Sequence, residues 1–275
     1  MVNNEYFDRI DKSFLHNLKK LQKETKKLTS FIQNFLIHGS FATLDYKKGW
    51  SDLDTLIIIK GKVFSDIKKL KLFREKILYL EKYLYKTDVL QHHGFIFITD
   101  LDLKKYHSAY LPIEVLQKSI SLTKSEKIKI NYQRDKNFWK KKLFSIHSLF
   151  QISYKKGTLF HHPLNGIFLK DNFKNINTMY QIKYFLSLIM GIPFIYLEAI
   201  GKPSYKRESF GTFKNLLKIN DEIIRKASLI RNSWPQNETY PYKGNKIPKW
   251  LINILGRDYF KRAFNLVDQI IKSIK

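Results

Sequence analysis

A chain of 275 residues, 44% hydrophobic and 15% aromatic, can bury a full core as one large domain or two modest ones, which excludes an intrinsically disordered chain. It has no cysteine, so disulfides and cysteine-based zinc sites are excluded. Fifty basic residues against 24 acidic ones give a net charge of +26, and a surface this positive attracts polyanions.

Of the basic residues, 42 are Lys and eight are Arg. They fall in scattered pairs and triples such as Lys26-Lys27, Lys68-Lys69 and Lys140 to Lys142, so the total carries the argument rather than any one cluster. The first ten residues are polar and acidic, and no cleavable leader is expected there. The uncharged stretch Tyr184 to Leu197 is 14 residues long, short for a bilayer and suited to a buried helix. These features give the expectation of a cytoplasmic protein with no membrane partner.

In chain order, residues 5–29 read as an amphipathic helix with Phe7, Ile10, Phe14, Leu18 and Leu21 on one face. Residues 33–100 read as a sheet with a crossing helix. Within them, Leu36 to Lys60 carries the densest chemistry: a strand, a Gly39-Ser40 turn, a short helix, then a strand opening with Asp52 and Asp54. Side chains two apart on a strand share a face, so both carboxylates reach one small volume while Leu53 points into the core. Two anions that close repel, and a divalent cation relieves the cost. Gly39-Ser40 carries no bulky side chain and lets backbone approach a polyphosphate. A metal pair beside a phosphate-hugging turn points to nucleotidyl transfer.

Gly39-Ser40, eleven intervening residues, Asp52-Leu53-Asp54 and a following aliphatic run together resemble the signature of the polymerase β-like nucleotidyltransferase superfamily. The resemblance implies a small mixed sheet and a third acidic residue on a neighbouring strand. Val63 to Tyr85 reads as a helix with Phe64, Ile67, Leu70, Phe73, Ile77, Leu80 and Leu84 on its core side. The next stretch, 85–100, reads as a strand or hairpin with Asp88 at its start, and Asp88 is the choice for the third metal carboxylate. Asp100 and Asp102 read as helix caps. His92 shares a strand face with Asp88. Imidazole suits Zn, Cu or Fe better than Mg, so His92 and His93 read as structural histidines, with a substrate contact as the alternative.

Past about residue 103 strand signals fade. Helical periodicity returns at 136–153, 176–190, 212–231 and 257–274, with loops at 158–166 and 232–248. A helix ends at Gly201, and the following Pro203 to Ser209 loosely resembles the Ser-Lys-rich turn in the helical domains of kanamycin- and streptomycin-modifying nucleotidyltransferases. That resemblance implies that Ser204 and Lys206 reach a triphosphate; a plain basic surface loop is the other reading. The expected fold is α+β: a mixed-sheet nucleotidyltransferase domain at 1–102, a helical bundle at 103–275, and a site in the cleft between them. The resemblance implies Mg-dependent transfer of an NMP, with two Mg²⁺ on Asp52, Asp54 and Asp88, and Gly39 and Ser40 on the phosphates. ATP is the first donor to consider, and the charge makes RNA, including a tRNA end, the first acceptor. Transfer to a protein or small molecule, and a non-catalytic nucleic-acid-binding or antitoxin-like protein, are the alternatives.

Overall fold

The structure, a computed structural model, describes residues 12–88, 90–91, 93–107, 109–123, 128–156, 158–159, 167–168, 179–236, 248–256 and 258–274, with backbone alone at 153–156, 158–159, 167–168 and 179–181. The chain divides into two units. One holds the residues up to Lys47 and Ser51–Arg134; the other holds Lys48–Trp50 and Asp135–Lys275.

The first unit is built on a four-stranded sheet. Helix α1 (Lys12–Lys26) leads to β1 (Ile32–Ile37), a single helical turn α2 (Gly39–Ala42) and β2 (Thr55–Ile59). Helix α3 (Ile67–Thr87) then crosses to β3 (Ile96–Thr99). The order is β3-β2-β1-β4, with β2 parallel to β3 and antiparallel to β1, so the sheet is mixed. Alternation along β2 feeds two cores. Ile57 and Ile59 join Phe14, Leu18 and Leu21 of α1 and Phe73, Ile77 and Leu80 of α3. Leu56 and Ile58 pack on the other face with Leu103, Tyr106, Ile113 and Leu116. Every β2 residue is buried, as a strand covered on both sides requires.

That second face explains why the first unit runs to Arg134, past the division expected after residue 102. The segment supplying Leu103 to Leu116 includes α4 (Ile113–Gln117) and continues into β4 (Ile120–Ser121), which pairs with β1. Two residues of strand are too few to leave a readable periodicity, so a strand beyond 103 went unexpected.

Helix α3 starts later than its sequence pattern. Asp66 caps it by accepting from Lys68 and Lys69 N–H, while Phe64 (53% exposed) and Ile67 (65% exposed) stand in solvent rather than in the core. A 21-residue helix is about 31 Å long and a five-residue strand about 16 Å, so the helix overruns the sheet that it covers.

The second unit is helical: α5 (Lys136–Lys156), α6 (Met179–Ala199), α7 (Arg207–Leu217), α8 (Glu222–Asn232), α9 (Lys249–Leu255) and α10 (Tyr259–Ile274). The helix expected at 212–231 is two helices, because Lys218 takes a left-handed conformation and turns the chain. Thr158–Leu159 and Ile167–Phe168 pair as the short strands β5 and β6 at the ends of the expected loop 158–166, whose remaining residues lie outside the described ones. Trp139, Leu143, Ile146 and Phe150 form the buried face of α5, as their spacing predicts. Residues Ile182–Ala199 of α6 are apolar and long enough to cross a membrane, but 61% of that window is buried within the fold, and Phe185, Leu186, Ile189 and Ile192 are fully covered. Gly201 (φ +75°) follows α6 and donates its N–H to Glu198 O, the C-terminal arrangement expected there. Trp50 is part of this core, edge-on to Trp234 with ring centroids 4.8 Å apart.

Candidate active site

Strand β1 ends at Ile37, opposite Thr55 of β2. The ladder runs one step further, because His38 N–H donates to Asp54 O at 3.0 Å. Gly39 then turns the chain with φ +67°, and Thr43 N–H and Oγ1 both return to Gly39 O to close the turn of α2. Gly39 has a reason to be glycine beyond its angle. A Cβ there would lie 1.8 Å from Asp54 Oδ2, so the Asp54 carboxylate occupies the space a side chain would need. The turn and the second aspartate are built against each other.

Asp52 and Asp54 stand just before β2 rather than within it, since the strand begins at Thr55. Their side chains are 23% and 26% exposed, and Leu53 between them is fully buried. The Leu53 peptide is clamped on both sides. Its N–H donates to Asp88 Oδ2 at 2.6 Å, and its carbonyl accepts from Gln91 Nε2 at 2.7 Å. With the intervening residue fixed, both flanking carboxylates face one way.

Asp88 is not on a strand. It is the C-terminal cap residue of α3, 3% exposed, and β3 begins only at Ile96. The helix runs to Thr87, two residues past Tyr85, with Asp88 as its cap, so the strand-parity argument for Asp88 and His92 does not apply; His92 lies outside the described residues. The two Asp88 oxygens accept backbone N–H groups, one from Leu53 and one from Leu90 at 3.0 Å. Asp100 and Asp102 also brace backbone rather than cap helices. Asp100 Oδ1 accepts Gly61 N–H at 2.8 Å, and Asp102 Oδ2 accepts Thr99 N–H at 2.6 Å.

The residue that joins the aspartate pair is His93. Its Nε2 lies 3.0 Å from Asp52 Oδ2 and 3.9 Å from Asp54 Oδ1. One donor atom from each of Asp52, Asp54 and His93 falls within 4.8 Å of the others. The hydrogen bond to Asp52 raises the His93 pKa above its ordinary 6.5; burial opposes this, and the charges of Asp52, Asp54 and Asp88 add to it. Gln91 sets the position of His93, since its Oε1 accepts His93 N–H at 3.0 Å while its amide holds Leu53. One buried side chain thus ties the histidine to the aspartates. Both residues sit in a loop that sequence periodicity reads as strand, where a buried Gln carries no functional signal.

Two carboxylate oxygens and an imidazole nitrogen, converging on a partly exposed rim, fit a divalent cation. Ser40, at the start of α2, is 6% exposed. Ser204 and Lys206 belong to the second unit. Lys206 precedes α7 at φ +55°, its carbonyl accepts Ser209 N–H, and its Nζ lies over the Tyr205 ring.

Residues 18–134 match the family model described as nucleotidyltransferase domain. No curated protein matches the chain. The match begins in α1 and ends where the first unit ends, so it takes in the whole sheet, the Gly39 turn and the Asp52-Asp54-His93 group. Residues 18–134 carry a nucleotidyltransferase domain, which supports nucleotidyltransferase activity, and its close Asp52-Asp54-His93 triad is consistent with the polymerase β-like superfamily.

Proposed function

With a nucleotidyltransferase domain as the premise, we propose that this enzyme transfers an NMP from an NTP to a hydroxyl of RNA. The single observation that carries transfer is the Asp54 carboxylate lodged against Gly39, with Asp52 and His93 converging on the same point. The acceptor hydroxyl oxygen forms a bond to the α-phosphorus as the bond to the bridging oxygen breaks. Pyrophosphate leaves with that oxygen, and the hydroxyl proton goes to solvent. Asp52 and Asp54 would hold the cation, read here as Mg²⁺ and as two ions, with His93 as neighbouring donor and Asp88 as brace. The bound cation would supply Lewis acidity toward the acceptor hydroxyl and neutralise charge on the leaving pyrophosphate. Gly39 and Ser40 take the β- and γ-phosphates in this reading, and Ser204 and Lys206 are proposed as phosphate contacts.

The acceptor reading rests on charge. A net +26 carried mainly by Lys favours a polyanion, and a chain so poor in acids is ill suited to a cationic acceptor. ATP is the first donor to test, and the cytoplasm, where NTPs and RNA meet, is the proposed location. The test is incubation with each α-³²P-labelled NTP, Mg²⁺ or Mn²⁺, and total cellular RNA or protein. Label entering RNA is expected. Label entering only protein or small molecules would move the acceptor to those classes, and no transfer with any NTP would reject transferase activity.

A further inference from the structure

Helix α3 buries one face against the sheet and α1, and turns the other to solvent along its whole length. That outer face is unusual. Of fifteen large hydrophobic side chains exposed among the described residues, five lie on this one helix: Ile67, Leu72, Leu78, Tyr79 and Tyr85. Between them stand the exposed cations Lys68, Lys71, Arg74, Lys82 and Lys86, against Glu75 as the exposed acid of the helix, Glu81 being half-buried. At 100° per residue these groups share one arc of about 160°. A solvated face would carry its charges without the apolar groups, and a protein-docking face is ordinarily depleted in Lys.

The stripe also has a direction. The C-terminal cap of α3 is Asp88, whose carboxylate holds Leu53 between the two catalytic aspartates. The turn after His93 lies against the last turns of the same helix. A Cβ on Gly94 would meet Glu81 Oε1 at 2.6 Å and Tyr85 OH at 3.9 Å. Tyr85 is therefore beside the Gly94 turn that follows His93, and Ile67 is about 27 Å from it down the helix axis. Near the same end, Tyr79 and Tyr83 pack edge to face with hydroxyls 2.8 Å apart, and Lys86 Nζ lies 5.9 Å from the Tyr83 ring centroid.

We propose that the outer face of α3 is the track that holds single-stranded RNA, with the acceptor end delivered at its Tyr85 end into the site. Lysines act as point charges toward phosphates, and tyrosine rings stack bases without selecting among them. Binding is then tolerant of sequence, while the end of the strand is fixed by geometry. The proposal rests on the RNA-acceptor reading above. RNA is preferred to an anionic lipid surface because the stripe terminates beside the turn that follows His93, which a membrane would cover.

The test compares full-length variants in binding a 5′-labelled single-stranded RNA. One carries Lys71→Gln, Arg74→Gln, Lys82→Gln and Lys86→Gln; a control carries Lys202→Gln, Lys249→Gln, Lys261→Gln and Lys272→Gln, with the same loss of charge in the second unit. The α3 variant should bind at least about tenfold more weakly, and its log K against log salt should be shallower by about 3, since each single-strand phosphate contact contributes about 0.7. Tyr85→Ala should weaken binding by about tenfold. Crosslinking of 5-iodouridine RNA to the unaltered protein, followed by peptide mapping, reads the same surface without any substitution and should recover peptides from 67–87. Equal losses in the α3 and control variants, or crosslinks confined to other segments, overturn the track. So does retention on anionic vesicles, or concentration-dependent self-association, that the α3 variant alone loses while its RNA binding is unchanged. Failure of the unaltered protein to bind or label any RNA instead defeats the RNA-acceptor reading itself.

Discussion

At residue scale the site is a set of mutual constraints. Asp52→Asn and Asp54→Asn each remove one of two charges that the local backbone was built to present together. Each should abolish NMP transfer while leaving the melting temperature at or above that of the parent, because a like-charge repulsion is relieved. Transfer assays beside thermal melts check this, and undiminished transfer by the double variant would remove the site. Gly39→Ala places a methyl group where Asp54 Oδ2 sits and forces a side chain into φ +67°. The backbone strain costs about 1–2 kcal/mol. Displacing Asp54 by an ångström should cost about 100-fold in turnover, a far larger loss than the change in stability explains. Gln91→Ala leaves Leu53 C=O and His93 N–H without their buried amide partner, a loss of about 1–3 kcal/mol. Because the hydrogen bond to Asp52 holds the His93 pKa up, loosening His93 should let that pKa fall back toward 6.5. An NMR titration of the metal-free protein reads this directly, and an unchanged His93 titration would show that Gln91 does not set its position.

At the scale of elements, the Glu222 ion pairs of the second unit form a pH-sensitive tie. Glu222 at the start of α8 accepts from Arg262 of α10, through Nη1 at 3.2 Å and through Nη2, and pairs with Lys226 at 3.2 Å. These cations hold the Glu222 carboxyl at about 2, below its ordinary 4.5. A depressed folded-state pKa contributes stability above the unfolded value and loses it as pH falls toward the folded one. The melting temperature of the parent should exceed that of Glu222→Gln at pH 6, and the gap should close between about pH 4.5 and 2. A gap that is constant over that range would show that the pair contributes nothing through charge. The pair is partly exposed, so the gap will also shrink in high salt.

The charge belongs to the whole molecule. If about five phosphates of a bound single strand are neutralised, log K should fall with log salt at a slope of roughly −3.5. A KCl titration of RNA binding measures it, and a flat response would mean that the +26 is not used for polyanions. Sequence preference should be weak, since eight arginines in the chain leave few candidates for bidentate base reading.

The sequence by itself determined the chemistry class, because Gly39-Ser40 and Asp52-Leu53-Asp54 are short-range features whose spacing already encodes a turn against an aspartate pair. It also determined most helices, since an amphipathic period survives in any context that buries one face: Phe73, Ile77, Leu80 and Leu84, or Trp139, Leu143, Ile146 and Phe150, could hardly be read otherwise. Only the tertiary structure decided that Asp88 ends a helix and braces Leu53, that Gln91 and His93 complete the group, and that Ile67 stands in solvent. It also decided that β4 comes from residues 120–121 and that Trp50 leaves its neighbours for the second unit's core. The reason is common to all of these. Residues 88–95 have no period of their own. Asp88 and Gln91 are placed by hydrogen bonds to Leu53, 35 and 38 positions back in the chain, and such a partnership has no signature in the local pattern.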